Sequence, residues 1–220
     1  MNSTEIMVEA IKQGHFSDVQ TLLESEPGLA GARTADGISI IMLAAYYQEP
    51  EIARLLAERA ASLDIFEAST IGNLSVVQEL VLKNPELVTT CSADGYPPLG
   101  LACFFGHQPV AAFLLSAGAQ VNQPSENRMQ VMPLHAAVAR MDVDIARLLL
   151  MAGADPNARQ ADDFTPLHGA AQNGQLEMVE LLLEFGADPG VLKSDGKTAL
   201  DLAAEFQHPV VVEFLKKHKT

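Results

Sequence analysis

Apolar residues recur along the chain in blocks of similar order, and the blocks follow one another at a nearly constant interval. The block Phe164–Ala171 (FTPLHGAA) has close counterparts at Lys197–Ala204 and Val131–Ala137 and looser ones elsewhere. Each block centres on one apolar residue, and these seven anchors are Met7, Ile41, Ile65, Leu99, Leu134, Leu167 and Leu200. The intervals between them are 34, 24, 34, 35, 33 and 33 residues, and a fixed period of this size indicates a repeat architecture.

The second half of each block has the spacing of an amphipathic helix. Leu176, Val179 and Leu183 recur at helical intervals, and Gly186 follows where a helix end requires a left-handed residue. The first half begins with an N-cap residue such as Thr165, followed by proline at the first helical position. Each block therefore predicts a short helix, a turn, a longer helix and an excursion to the next block.

The period and the T-P-L-H-x-A pattern, clearest at Thr165–Ala171 and Gly186–Asp188, resemble those of ankyrin repeats. The resemblance covers essentially the whole chain and implies an all-α repeat solenoid of seven stacked helix-turn-helix units with short β-hairpin fingers. We expect one domain, residues 1–220, with units of roughly 1–34, 35–60, 61–92, 93–127, 128–160, 161–193 and 194–220.

The second interval departs from the period because it is about ten residues short. Residues Glu58–Asp64 leave no room for a finger, so the finger is missing between units two and three. We expect the row of fingers to have a gap at this point.

Composition and charge restrict the possible partners. The 220 residues are 48% hydrophobic and carry a formal net charge of −14, which argues against a nucleic-acid partner and against an anionic membrane surface. The first residues, Met1–Glu9, lack the basic and apolar regions of a signal peptide, and the chain contains only two cysteines. We therefore expect a cytoplasmic protein.

No residue pattern in the chain indicates catalysis. His135 and His168 occupy the same position in consecutive units, but units stacked at roughly 8–10 Å are too far apart for both to bind one metal ion. The resemblance implies instead that each histidine bonds to loop backbone. Sequence motifs for serine nucleophiles, zinc proteases and phosphate-binding loops are absent, so we expect no cofactor, no metal and no enzymatic activity.

The distribution of aromatic residues is uneven. In ankyrin repeats the concave side consists of the finger tips and the exposed end of each first helix, and seven of the twelve aromatic residues fall at such positions here. This register predicts a partner-binding surface made of Ile38, Tyr46, Tyr47, Ile71, Tyr96, Phe104, Phe105, Arg140, Phe164, Asn173 and Phe206. Some of these side chains could instead pack against the next unit.

The main hypothesis is a protein–protein interaction module with an aromatic groove over units two to six and an acidic rim. The rim residues are Asp36, Asp94, Asp162, Asp163 and Asp195. Such a rim favours a partner segment with basic and apolar residues, bound by a monomer. The alternatives are a self-associating structural or chaperone-like accessory protein for a cytosolic enzyme, and an enzyme or small-molecule binder with a deep closed pocket.

Overall fold

Each sequence block folds into two helices joined by a tight turn. The computed structural model describes residues 2–218, and its fourteen α-helices form seven consecutive pairs. The pairs are α1 (Ser3–Lys12) with α2 (Phe16–Ser25), α3 (Ile40–Tyr46) with α4 (Pro50–Arg59), α5 (Ile65–Ile71) with α6 (Leu74–Lys83), α7 (Pro98–Phe105) with α8 (Gln108–Ser116), α9 (Pro133–Arg140) with α10 (Val143–Met151), α11 (Pro166–Gln172) with α12 (Leu176–Glu184), and α13 (Ala199–Glu205) with α14 (Pro209–Lys217). The odd-numbered, inner helices pack against one another along the chain, so the fold is the expected all-α solenoid.

Local sequence determines where the helices begin. Asn2 accepts a hydrogen bond from the Glu5 amide at 2.9 Å, and the Glu5 carboxylate accepts one from the Asn2 amide at 3.0 Å. Thr165 and Thr198 form equivalent capping boxes at α11 and α13, as their positions in the repeat predict. Proline occupies the first position of α4 and α14, where its missing N–H has no cost.

Five of the six junctions between consecutive units contain a finger loop. Each of these loops closes with a backbone hydrogen bond across its base. Examples are the Thr34 amide to the Ile38 carbonyl at 2.8 Å and the Ser92 amide to the Tyr96 carbonyl at 3.0 Å. Neighbouring fingers are also bonded to each other, for example from the Glu126 amide to the Gly95 carbonyl at 2.7 Å. The fingers are short, since only two isolated β-bridges occur among the described residues.

Units two and three are joined without a finger, because only residues 60–64 separate α4 from α5. The expected gap in the finger row is nevertheless wrong. A Cβ placed on Gly37 would lie 3.3 Å from the Cβ of Ala93, so the fingers on either side of the missing one touch. Arg33 also bonds to Asp64 at 2.7 Å, which ties the finger before unit two to the first turn of unit three. The row closes because no chain intervenes to hold the two fingers apart.

On the side of the stack formed by the outer helices, the junction between units two and three is more open. Among the successive outer helices, which are the even-numbered ones, α4 and α6 are the neighbours that pack least closely. The buried core is divided at this place into an N-terminal cluster from Met7 to Leu56 and a C-terminal cluster from Ile65 to Leu215. Removing one finger therefore shortens the finger side of the stack and separates the outer helices.

Candidate protein-binding surface

Three aromatic side chains from units two and four meet across unit three. Tyr46 at the end of α3 lies 5.4 Å from Phe105 and 6.3 Å from Phe104, measured between ring centres, and the two phenylalanines at the end of α7 are 5.1 Å apart. Phe104 is 42% exposed, whereas Tyr46 and Phe105 are half-buried. The three residues form a partly exposed aromatic cluster.

Tyr46 is held in place by a hydrogen bond to the neighbouring finger. Its hydroxyl donates to Asp94 Oδ2 at 2.7 Å, and Ser92 donates to the other oxygen of the same carboxylate. Burial and the nearby Asp94 carboxylate raise the pKa of the Tyr46 hydroxyl far above its usual value, so the ring stays neutral. The carboxylate of Asp94 is therefore occupied within the protein and is not a free rim charge.

The aromatic cluster borders a half-open cleft of about 1040 Å³, which we name the junction cleft. One wall is α4, and the floor is Leu63 with the end of α5. The wall and floor residues on these two helices include Glu51, Ala53, Arg54, Ala57, Glu58, Thr70 and Ile71. The cleft is also lined by Tyr46, Phe104, Phe105, His107 and Arg140. The cleft lies at the junction of units two and three, where the outer helices α4 and α6 pack least closely.

A second, smaller groove lies between α1, the finger before unit two and α3. Its volume is about 670 Å³, and Ile38, Tyr47 and Asp36 contribute to its walls together with Glu5 and Glu9 of α1. Tyr47 is 44% exposed. We call it the N-terminal groove.

The eleven residues selected from the sequence fall into separate groups rather than one continuous floor. Five line the junction cleft, namely Tyr46, Ile71, Phe104, Phe105 and Arg140. Two, Ile38 and Tyr47, line the N-terminal groove. The other four, Tyr96, Phe164, Asn173 and Phe206, line neither. The aromatic cluster is therefore confined to residues of units two and four, and the aromatic residues selected from later units, Phe164 and Phe206, lie outside it.

Phe164 illustrates this separation. Its ring centre lies 5.6 Å from the ring of His168 and 5.7 Å from the Lys193 ammonium, so it packs within the finger region of units six and seven. Phe206, at the end of α13, is 48% exposed. These two side chains are not part of the aromatic cluster.

The rim carboxylates are also less uniform than the sequence suggests. Asp163 pairs with Arg159 at 3.0 Å, and Asp195 pairs with Lys193 at 3.2 Å. Within residues 2–218, the carboxylates of Asp36 and Asp162 have no ion-pair partner. The acidic character available to a basic partner is thus concentrated at Asp36, in the N-terminal groove, and at Asp162.

The histidines bond to loop backbone, as expected from the repeat pattern. His135 Nε2 donates to the Phe164 carbonyl at 3.0 Å and His168 Nε2 to the Lys197 carbonyl at 3.3 Å, each across to the next finger. Burial lowers the pKa of His135 to about 4, and the bond to Phe164 only partly opposes this. Over residues 2–218 no three His, Cys, Asp or Glu side chains are grouped as metal ligands would be.

The family model for ankyrin repeats (three copies) matches residues 65–160 and 134–220, which together cover more than two thirds of the chain. The chain belongs to the ankyrin repeat family. Ankyrin repeats are generally protein–protein interaction modules, and proteins of this family are typically not enzymes.

Individual ankyrin repeat proteins match about half of the chain. Ankyrin repeat and SAM domain-containing protein 6 of Rattus norvegicus is 31% identical over 108 residues, which are 46% of this chain and 11% of that protein. An ankyrin repeat-containing protein of Treponema pallidum (strain Nichols) is 38% identical over 94 residues, 43% of this chain and 31% of that protein. Human BCL-6 corepressor-like protein 1 is 39% identical over 108 residues, 49% of this chain and 6% of that protein. The matches thus extend over a small part of each relative.

In this ankyrin repeat chain, sequence reasoning missed the residues of the α4 wall and part of the floor of the junction cleft. Arg54, Ala57 and Leu63 line the cleft but lie outside the concave-face register used to select candidates. The short interval between the second and third anchors was the available signal.

No helix within residues 2–218 combines the length and apolarity needed to cross a bilayer.

Proposed function

We propose that this ankyrin repeat chain acts as a non-enzymatic binding module that holds a partner protein on the surface formed by the aromatic cluster and the N-terminal groove. The observation that carries the proposal is the aromatic cluster itself, which keeps three rings in contact and partly exposed at the edge of a large cleft. Partly exposed aromatic anchors are typical of the residues that dominate binding energy at interfaces.

The charges of the N-terminal groove favour a partner segment that combines apolar with basic residues. Asp36 and Glu9 are acidic residues of this groove, and Lys12 and Arg33 are its cations among the described residues. Arg33 is already paired with Asp64 and Glu67. A Lys or Arg of the partner would therefore meet net negative charge there, while apolar side chains contact Ile38 and Tyr47.

The double variant Tyr47→Ala, Phe105→Ala tests the proposal because it removes one ring from each of the two depressions. Loss of a ring at an interface centre costs about 2 kcal/mol, so we expect partner retention to fall by a factor of about 30 or more. The measurement is quantitative affinity capture with immobilised wild-type and variant protein, followed by titration of the captured partner.

A matched control is Leu82→Ala, Met151→Ala, which removes two exposed apolar side chains from the outer helices α6 and α10. This control is expected to keep wild-type affinity. Equal affinity of the wild type and the ring variant, with the helical circular dichroism of both intact, would refute the binding surface. Light scattering of the wild type distinguishes the proposed monomer from a self-associating protein.

A further inference from the structure

We propose that the junction cleft receives an extended segment of the partner protein in which a bulky apolar side chain lies beside a carboxylate, and that Arg140 binds this carboxylate. The inference rests on the proposed function, since it specifies the chemistry of the partner at one part of the same surface. It concerns a different place from the N-terminal groove, where basic residues are favoured.

The junction cleft is large and partly apolar. Its volume of about 1040 Å³ is at the upper end of ligand sites and can hold several side chains of an extended chain. Ala53 and Ala57 of α4 contribute apolar lining, and Leu63 and Ile71 form an apolar floor. A bulky apolar side chain inserted between α4 and the aromatic cluster would therefore bury apolar surface on both sides.

The charges of the two walls differ. Arg54 is bonded to Glu51 at 2.8 Å and to Glu58 at 3.5 Å, and all three side chains are more than half exposed, so the α4 wall has one net negative charge that is well solvated. The guanidinium of Arg140, on the opposite side, forms no hydrogen bond or ion pair with any of residues 2–218. In a chain of net charge −14, an unpaired arginine beside an apolar cleft is the charge that a bound carboxylate would neutralise.

The position of Arg140 also favours this role. Its Nε would lie 2.9 Å from a Cβ placed on Gly106, so the guanidinium lies close to the glycine that ends α7. The aromatic residues Phe104 and Phe105 immediately precede this glycine. A ligand that contacts the rings is therefore within reach of the guanidinium.

One buried hydroxyl of the cleft lining has no partner among the described residues. Thr70 lines the cleft and is 2% exposed, and its Oγ1 forms no hydrogen bond to any described residue. The Thr70 carbonyl is already taken by His107 Nε2 at 2.9 Å. Because buried polar groups are usually paired, the Thr70 hydroxyl shows that the polar groups of this wall are not fully satisfied within the described part of the chain.

The test uses a random-sequence peptide display library selected on the full-length wild-type protein. We expect the enriched peptides to share an aromatic or long aliphatic residue next to Asp or Glu. A synthetic, fluorescently labelled member of the enriched set then serves as the probe in polarisation titrations. Enrichment of basic and apolar peptides without an acidic residue, or of no peptide, would overturn the inference.

Charge reversal at position 140 tests whether Arg140 binds the carboxylate of the peptide. Arg140→Glu is expected to weaken binding of the labelled peptide by a factor of about 10 or more, whereas Arg140→Lys retains part of the affinity. Arg147→Glu is the matched control, since Arg147 is a half-exposed arginine of α10 outside the cleft. A peptide in which Lys replaces the acidic residue should regain affinity for Arg140→Glu. An equal effect of the reversals at 140 and 147 would overturn the inference.

The ring variant and the charge reversal together distinguish failure of this inference from failure of the proposed function. If capture of partner depends on Tyr47 and Phe105 but not on the charge at position 140, the binding module stands and the carboxylate assignment is wrong. If the ring variant retains its full affinity for the partner, the proposed function itself is wrong.

Discussion

His135 and His168 occupy equivalent positions, but their surroundings differ at one atom. His168 Nδ1 accepts hydrogen bonds from the Thr165 amide at 3.1 Å and from the Thr165 hydroxyl at 2.8 Å. Met132 takes the place of that threonine in unit five, and His135 Nδ1 is buried with no partner among the described residues. A buried acceptor without a donor has a desolvation cost of about 1–3 kcal/mol.

The substitution Met132→Thr is expected to raise the free energy of unfolding by about 1 kcal/mol. The backbone at Met132 (φ −89°, ψ 158°) already resembles that at Thr165 (φ −98°, ψ 164°), so a threonine hydroxyl can bond to Nδ1 and cap α9 without rearrangement. Urea unfolding followed by circular dichroism measures the change. The reverse substitution, Thr165→Met, is expected to lower stability. An equal stabilisation by Met132→Val, which has the shape of threonine without the hydroxyl, would argue against this account.

Individual residues also show which parts of the proposed binding surface could be predicted from the sequence. The repeat register predicts that Tyr46, Phe104 and Phe105 lie at the same end of their helices, because the register depends only on spacing. It could not predict that the rings meet across unit three, since that contact requires the closure of the finger row and the hydrogen bond between Tyr46 and Asp94. Long-range closure of this kind has no local sequence signal.

At the scale of the element, the turn between the two helices of a unit is the most regular feature of the chain. The seventh residue after each anchor has a positive φ in all seven units. Glycine fills this position in four units, and in the other three the residue is Gln48, Met141 or Gln207, with φ of 61°, 64° and 62°. The anchor spacing therefore locates every turn, although the sequence pattern of three units lacks the glycine.

Replacement of Met141 by glycine is expected to stabilise the protein by roughly 0.5–1 kcal/mol. A left-handed conformation costs an ordinary residue about 1–2 kcal/mol, and the greater entropy of glycine in the unfolded chain offsets about half of this. Met141 is 62% exposed, so little packing is lost. Thermal or urea unfolding measures the gain. Met141→Ala is the control, because it removes the same side chain and keeps the strain, and a similar gain for alanine would contradict the explanation.

At the scale of the whole molecule, one short connection divides the stack. The sequence predicts the missing finger from the interval of 24 residues, but not its consequences, because these depend on how both sides of the stack respond. The fingers close on one side and the outer helices α4 and α6 separate on the other. Two hydrophobic clusters result, and Leu63 is packed against both of them. The ankyrin repeat family match begins at residue 65, where the C-terminal cluster also begins.

Because the stability of a repeat stack depends on contacts between neighbouring units, a weakened junction should allow the two parts to unfold separately. Leu63→Ala removes a half-buried side chain shared by both clusters, with an expected cost of about 1–2 kcal/mol. We expect this cost to lower the hydrogen-exchange protection of α1 to α4, while α9 to α14 keep their wild-type protection.

Leu183→Ala supplies the comparison that makes this measurement decisive. Leu183 of α12 is also half-buried, but it packs only against the C-terminal cluster and lies far from the junction. Its loss should reduce protection in α11 to α14 and leave α1 to α4 unchanged. If Leu63→Ala instead lowers protection equally in all fourteen helices, the chain unfolds as one cooperative unit and the short connection between α4 and α5 does not divide it. Separate responses would mean that a ligand in the junction cleft, which contacts both α4 and α7, stabilises the N-terminal units by linking them to the rest of the stack.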